Sequence, residues 1–119
     1  MAITQAYTLD DVTISTSEIS IVSGTTTLQN NTTAGVYQLF IDAKNTSDPI
    51  VKGDELIVRI YEKVVGTGNK DVFDSFTLSD AQSTLSVSPF YTLMNGWDIT
   101  IQRTAGTDVK VDASIRMVS

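Results

Sequence analysis

The chain has 119 residues and a formal net charge of −6, and it contains neither cysteine nor histidine. This length fits one domain, and the composition excludes disulfide bridges, thiolate or imidazole metal sites, and catalysis by serine–histidine or cysteine–histidine pairs. The eight basic residues are scattered singly, which argues against binding to nucleic acid or to an anionic membrane surface.

The first third of the chain predicts short β-strands rather than helices, because apolar and polar residues alternate between polar turns. Residues 1–11 are less regular, and we expect them either to join the domain or to form a flexible N-terminal arm. The stretch VTISTSEISIV, residues 12–22, predicts a pair of strands that meet at a bulge or tight turn near Ser17. VYQLFID, residues 36–42, is apolar on both parities and predicts a central strand covered on both faces.

The middle of the chain predicts a hairpin. LIVRIYEKV, residues 56–64, alternates inward aliphatic residues with outward polar ones, and VFDSFTL, residues 72–78, continues the pattern after a glycine-rich turn. STLSVSPFYTLM, residues 83–94, alternates until Pro89, which cannot donate a ladder hydrogen bond and therefore predicts an edge or a strand end.

The last 24 residues, GWDITIQRTAGTDVKVDASIRMVS, predict a closing hairpin that turns at residues 104–108. Its second strand would span about 36 Å at about 3.3 Å per residue, so we expect it either to curve across a whole sheet or to pair partly with a neighbouring chain. Together the segments predict an all-β fold: one antiparallel β-sandwich of about eight strands over residues 1–119, jelly-roll-like or immunoglobulin-like.

Carboxylates are the remaining candidates for catalysis or metal binding. Asp10–Asp11 and Asp71–Asp74 are close in sequence, and residues 42–55 are rich in oxygen ligands suitable for calcium. However, these acids lie at turns and strand ends, where aspartate is common for backbone reasons, and no calcium-loop spacing is present. We therefore predict no catalytic residue, no metal site and no cofactor, and we expect that the protein is not an enzyme.

Aromatic residues offer the remaining binding candidates. Trp97 is in phase with Ile99 and Ile101, which favours a core position over a ligand contact. Tyr61 lies on the outward face of its strand, and a face that mixes aromatic, apolar and basic residues is typical of a protein interface, although the same residues suit a strand for β-propensity alone. The predicted interface residues are Ile57, Arg59, Tyr61, Lys63 and Arg116.

Three segments, GVYQLFIDAKN, GDELIVRIYEKVV and the closing stretch GWDITIQRTAGTDVKVDASIRMVS, carry a family resemblance. Together they resemble small, mostly β proteins encoded among the head genes of tailed bacteriophages, which are virion structural or capsid decoration (cement) proteins. The resemblance covers most of residues 35–119 and rests on overall pattern rather than on a strict motif.

This resemblance implies a protein that is assembled in the host cytoplasm and sits on the exterior of the capsid. It implies binding to the major capsid protein, as a homo-oligomer for which a trimer is favoured. Two alternatives remain open: a carbohydrate- or host-surface-binding module on a head fibre or spike, and a tail or head-completion structural protein. Exposed Trp97, Tyr61 or Tyr91 in a groove would favour the carbohydrate-binding module.

Overall fold

The computed structural model describes residues 2–118, and these residues form nine β-strands and no helix. The strands in chain order are β1 Ile3–Ile14, β2 Ile19–Ser20, β3 Gly35–Asp42, β4 Glu55–Glu62, β5 Asp71–Ser79, β6 Ser86–Val87, β7 Tyr91–Leu93, β8 Asp98–Ala105 and β9 Val109–Val118. The predicted all-β class is confirmed. Nine strands form instead of about eight, because Pro89 separates β6 from β7 within a segment expected to form one strand.

The strands form two antiparallel sheets that face each other as a sandwich. The five-stranded sheet has the order β1-β9-β3-β6, and β7 also pairs with β3. The four-stranded sheet has the order β2-β8-β4-β5. The domain measures 40 × 32 × 20 Å along its principal axes.

The core consists of the alternate residues that each sheet turns toward the other. On β4, Leu56, Val58 and Ile60 are fully buried, as their spacing predicts. Trp97 is also fully buried, which confirms its predicted core position. The centroid of its ring lies 4.6 Å from that of Tyr37. The Trp97 indole and the Tyr37 hydroxyl both donate hydrogen bonds to the backbone carbonyl of Thr33.

The chain turns near Ser17 and again at residues 104–108, as predicted, but neither turn joins two strands of the same sheet. β1 and β2 belong to different sheets, and so do β8 and β9. The turn after β8 carries the chain across the core, with Gly106 at a φ of +84°. The two strands of each predicted pair therefore face one another through their buried side chains instead of sharing a hydrogen-bond ladder.

Three further expectations are settled by strand order. β3 was predicted to be covered on both faces, but it is buried on one face only, and its outward residues are half-exposed. Residues 3–11 belong to β1, which pairs along β9, whereas Met1 lies outside the described residues. β9 pairs with β1 on one side and, from Asp112 to Val118, with β3 on the other, so it crosses the sheet as a central strand.

Candidate functional site

The five residues predicted as an interface lie on opposite sides of the sandwich. Ile57, Arg59 and Tyr61 occupy the outer face of the four-stranded sheet, and Lys63 follows at the end of β4. Arg116 occupies the outer face of the five-stranded sheet. The structure therefore does not bring Arg116 together with the other four.

The polar ends of Arg59 and Tyr61 are bonded within the chain. Glu18 Oε2 accepts hydrogen bonds from the Tyr61 hydroxyl at 2.8 Å and from Arg59 Nη1 at 3.2 Å, and the Thr100 hydroxyl is a third donor. Burial and the Glu18 carboxylate raise the pKa of Tyr61 to about 12. Burial opposes ionisation of Glu18, but the hydrogen bonds from Thr100 and Tyr61 and the charge of Arg59 lower its pKa. This part of the predicted interface is a closed intramolecular network.

The aromatic residues that would have marked a carbohydrate groove are not free for stacking. Trp97 is fully buried, and Tyr91 is 6% exposed. The Tyr91 hydroxyl donates a hydrogen bond to Asp74 Oδ2 at 2.6 Å. Tyr61 is half-buried and bonded to Glu18. A saccharide site on this protein would need other residues.

The candidate carboxylates mostly serve the backbone. Asp71 and Asp74 each accept a hydrogen bond from the backbone amide of the next residue. In the oxygen-rich loop, the Asp42 carboxylate accepts hydrogen bonds from the backbone amides of residues 44 and 45. The buried Asp54 carboxylate accepts hydrogen bonds from the backbone amides of residues 51 and 107. Within residues 2–118, no three carboxylates gather in a metal-binding arrangement.

An apolar patch lies where β5 of one sheet meets β7 of the other. A concavity of about 230 Å³ there is lined by Glu62, Lys63, Val64, Phe73 and Thr92. The Phe73 ring packs edge-on against Tyr91, with the two ring centroids 5.8 Å apart. Phe90 and Met94 lie two residues on either side of Thr92 and therefore on the same face of the chain. We define the apolar patch by its exposed side chains: Val64 (95% exposed), Phe90 (62%), Val65 (57%), Met94 (57%) and Phe73 (53%).

A groove of about 440 Å³ crosses the outer face of the five-stranded sheet. We call it the outer-face groove. Its lining comes from β1, β9, β3 and the segment before β6: Gln5, Thr8, Leu9, Asp10, Phe40, Ile41, Asp42, Leu85, Asp112, Ala113, Ser114 and Arg116.

Cross-strand register brings the side chains of the groove together. Arg116 pairs with Gln5 on β1, and Ser114 pairs with Phe40 on β3. The Arg116 guanidinium lies over the Phe40 ring, 3.8 Å from its centroid. Arg116 Nε donates to the Ser114 hydroxyl at 3.3 Å, and that hydroxyl donates to Gln5 Oε1 at 2.9 Å.

Sequence reasoning identified Arg116 but missed Phe40, Gln5 and Asp112. One signal was available: Phe40 is a large aromatic residue in phase with Gln38 and Asp42, on the polar parity of β3. The other groove residues had no such signal, because their proximity depends on β9 lying between β1 and β3.

Comparison with known proteins gives no family for this chain. No protein-family model matches it, and no curated protein matches it. Among residues 2–118 there is also no helix long and apolar enough to cross a membrane.

Several solved structures are distantly similar in fold. One is the Clostridium thermocellum endo-1,4-beta-D-xylanase 10B with CBM22-1 and GH10 modules, complexed with xylohexaose (TM-score 0.42, 11% identity, covering 76% of this chain and 17% of that one). Another is a xylan-binding domain from CBM 22 (TM-score 0.41, 14% identity, 73% and 56%). A third is the C-terminal family 22 carbohydrate-binding module of Clostridium thermocellum Xyn10B (TM-score 0.40, 14% identity, 73% and 56%). These values assign neither a family nor a ligand to this chain.

Proposed function

We propose that this protein is a non-catalytic virion structural protein that decorates or cements a bacteriophage capsid. The observation that carries the proposal is the apolar patch, a set of five large apolar side chains that are each more than half exposed. Exposed apolar clusters of this kind mark protein–protein contacts, and aromatic side chains such as Phe73 and Phe90 commonly supply much of the binding energy once a partner covers them. The partner proposed from the family resemblance is the major capsid protein.

The proposal is tested by adding the purified protein to capsids assembled without it. We expect Phe73→Asp and Phe90→Asp to weaken capsid binding at least about 30-fold, because binding would desolvate a carboxylate where it would otherwise cover an aromatic ring. Ile3→Asp is the matched control, since Ile3 is 68% exposed but lies on β1, away from the patch. Failure of the parent chain to bind capsids, or equal binding by all variants, would overturn the proposal.

We also propose that the protein acts as a symmetric homo-oligomer, with a trimer favoured by the family resemblance. The protomer mass is 12.9 kDa, so native mass spectrometry or light scattering separates a trimer of about 39 kDa from a monomer. The capsid-bound protein is the relevant sample, because an oligomer that forms only on the lattice escapes detection in solution. Single copies on the capsid, distant from one another, would contradict the oligomer.

A second candidate function is binding of a carbohydrate or host surface from a head fibre or spike. The outer-face groove favours it, because polar side chains and an aromatic ring there converge on one concave surface. The groove and the apolar patch draw on different residues, so the two functions are compatible and separable by mutation.

A further inference from the structure

We propose that the outer-face groove binds a neutral saccharide chain, with the stacked pair Arg116 and Phe40 as its central contact. The inference rests on the second candidate function and specifies its site and its class of ligand. The groove volume of about 440 Å³ falls within the range typical of small-molecule sites. Since it runs from β1 across β9 and β3 to the segment before β6, it extends about 14 Å across the sheet, at about 4.8 Å per strand spacing.

The β1 side of the groove is shaped by an irregularity in its ladder. The β1–β9 register shifts between Leu9 and Val12, and Asp11 adopts a φ of +50°. Asp11 is held there because its amide donates to Asp112 Oδ1 at 2.7 Å and its carboxylate accepts from Ser47. This bulge leaves Asp10 in the lining of the groove beside Thr8. The concave shape therefore arises from fixed backbone geometry rather than from mobile side chains.

The pair at the centre of the groove is held in a fixed orientation. Stacking on Phe40 and the bond from Nε to Ser114 orient the Arg116 guanidinium, and its two terminal nitrogens have no partner within residues 2–118. Such a fixed fork can donate two parallel hydrogen bonds to adjacent oxygens, which vicinal sugar hydroxyls supply. Because the side chain is already ordered, little conformational entropy is lost on binding.

The remaining polar atoms of the groove suit hydroxyl groups, which donate and accept at once. Asp112 Oδ2 accepts no hydrogen bond within the described chain, and neither does the Asp10 carboxylate, so both are open to hydroxyl donors. The Gln5 amide nitrogen and the Thr8 hydroxyl add donors on β1. An aromatic ring, the planar amide of Gln5 and carboxylates on one face together match a polyhydroxylated ring better than an apolar ligand.

Charge selects a neutral ligand over an anionic one. Three carboxylates, those of Asp10, Asp42 and Asp112, line the groove with only one cation, Arg116. The whole chain carries a formal charge of −6, so the surrounding field also repels anions. Nucleic acid, phosphates and acidic glycans are therefore disfavoured, whereas a neutral oligosaccharide is compatible with both the shape and the polar atoms.

The test is titration of the ¹⁵N-labelled protein with cellohexaose, chitohexaose and maltohexaose, each followed by amide shifts. We expect at least one of them to shift groove amides, and Arg116→Ala and Asp112→Asn to weaken its binding at least 10-fold. Arg116→Lys separates charge from geometry: it keeps the positive charge but lacks the planar fork, so we expect it to weaken binding like Arg116→Ala. Each variant is checked by its amide spectrum, so that loss of binding in a folded protein is distinguished from unfolding.

Phe73→Asp is the control outside the groove, and we expect it to bind saccharide like the parent. No groove shift with any of the three neutral hexaoses would overturn the inference. Tighter binding of a heparin hexasaccharide or of a basic peptide would also overturn it, because either result would assign the groove to another class of ligand. None of these outcomes alters the capsid test, which depends on Phe73 and Phe90.

Discussion

Gly106 shows how strongly one residue can depend on its surroundings. It lies in the crossover from β8 to β9 at a φ of +84°, and a Cβ placed there would approach Asp54 Oδ1 to 2.1 Å and Asp54 Cα to 2.7 Å. Asp54 cannot withdraw easily, because its carboxylate accepts the Thr107 amide at 2.9 Å and the Val51 amide at 3.0 Å. The crossover is thereby bound to the loop before β4.

Three glycine-to-alanine substitutions separate backbone strain from steric overlap. Gly53 has a φ of +94° with open space around it, so Gly53→Ala should cost about 1–2 kcal/mol of unfolding free energy from strain alone. Gly106→Ala adds the overlap with Asp54 and should cost at least about 3 kcal/mol. Gly66 has an ordinary φ and no close neighbour, so Gly66→Ala should change stability by less than about 1 kcal/mol. Urea unfolding of the three variants measures the loss of unfolding free energy in each. Equal losses for Gly53→Ala and Gly106→Ala would contradict the predicted order.

Asp54 also predicts how stability responds to acid. Hydrogen bonds from the Thr107 and Val51 amides lower its pKa below the ordinary 3.8. Because the folded pKa is the lower one, its stabilising contribution is complete above the unfolded pKa and is lost as the pH falls through the folded pKa. We therefore expect the unfolding free energy to fall below about pH 4, and Asp54→Asn to show a shallower fall than the parent.

The acid response should carry an opposite contribution from Asp98. This carboxylate is fully buried, and burial raises its pKa despite hydrogen bonds from the Gln29 amide and the Ser20 hydroxyl. Asp98 therefore favours the folded state more as it becomes protonated, which partly offsets the loss at Asp54. Urea unfolding between pH 5 and pH 2 measures how steeply the unfolding free energy falls with pH in the parent and in Asp54→Asn. Identical slopes for the two proteins would rule out the role given to Asp54.

At the level of elements, alternation predicted which residues face the core but not which strands pair. Ile99 and Ile101 on β8 and Val109 and Val111 on β9 are all fully buried, as their parity indicated. Parity does not reveal that they come from opposite sheets, because a short turn looks the same in sequence whether the chain reverses within a sheet or crosses the core. The β4–β5 hairpin was predicted correctly since its strands are adjacent in both chain and sheet.

The candidate surfaces were predicted less well than the fold for a related reason. Arg59 and Tyr61 were recognised as outward-facing, but their bonds to Glu18 come from a segment more than 40 residues away. The outer-face groove combines β1, β3 and β9, so its composition follows only from the strand order. Local sequence describes a strand's faces, whereas a site across strands depends on long-range pairing.

Removing the end of β9 should destabilise the fold itself. Arg116, Met117 and Val118 pair with β1 on one side and with β3 on the other, so their loss opens two ladders at once. We expect deletion of residues 116–119 to cost at least about 2 kcal/mol, or about 6 °C or more in melting temperature. Arg116→Ala, which keeps the backbone, is the control and should cost less than about 1 kcal/mol. A truncated chain with the parent's melting temperature would contradict the central position of β9.

At the level of the whole molecule, the apolar patch and the outer-face groove are formed by different residues. The patch lies at the junction of β5 and β7, whereas the groove is centred on β9 and β3. A variant in one site should leave binding at the other within about twofold, because sites that share no partners behave additively. The pair Phe73→Asp and Asp112→Asn, measured singly and together for capsid and saccharide binding, checks this independence, since Phe73 lies on β5 of the other sheet. Loss of both activities in a folded single variant would show that the surfaces act as one.

The central position of β9 also determines when the protein can fold. Ile3 pairs with Val118, so the contact that completes the five-stranded sheet joins residues near opposite ends of the chain. Until Val109–Val118 emerges from the ribosome, β1 and β3 have no strand between them, and both expose unpaired edges. Folding of this sheet therefore depends on long-range pairing that waits for β9, and nascent chains are most exposed to aggregation and to chaperones before β9 has emerged.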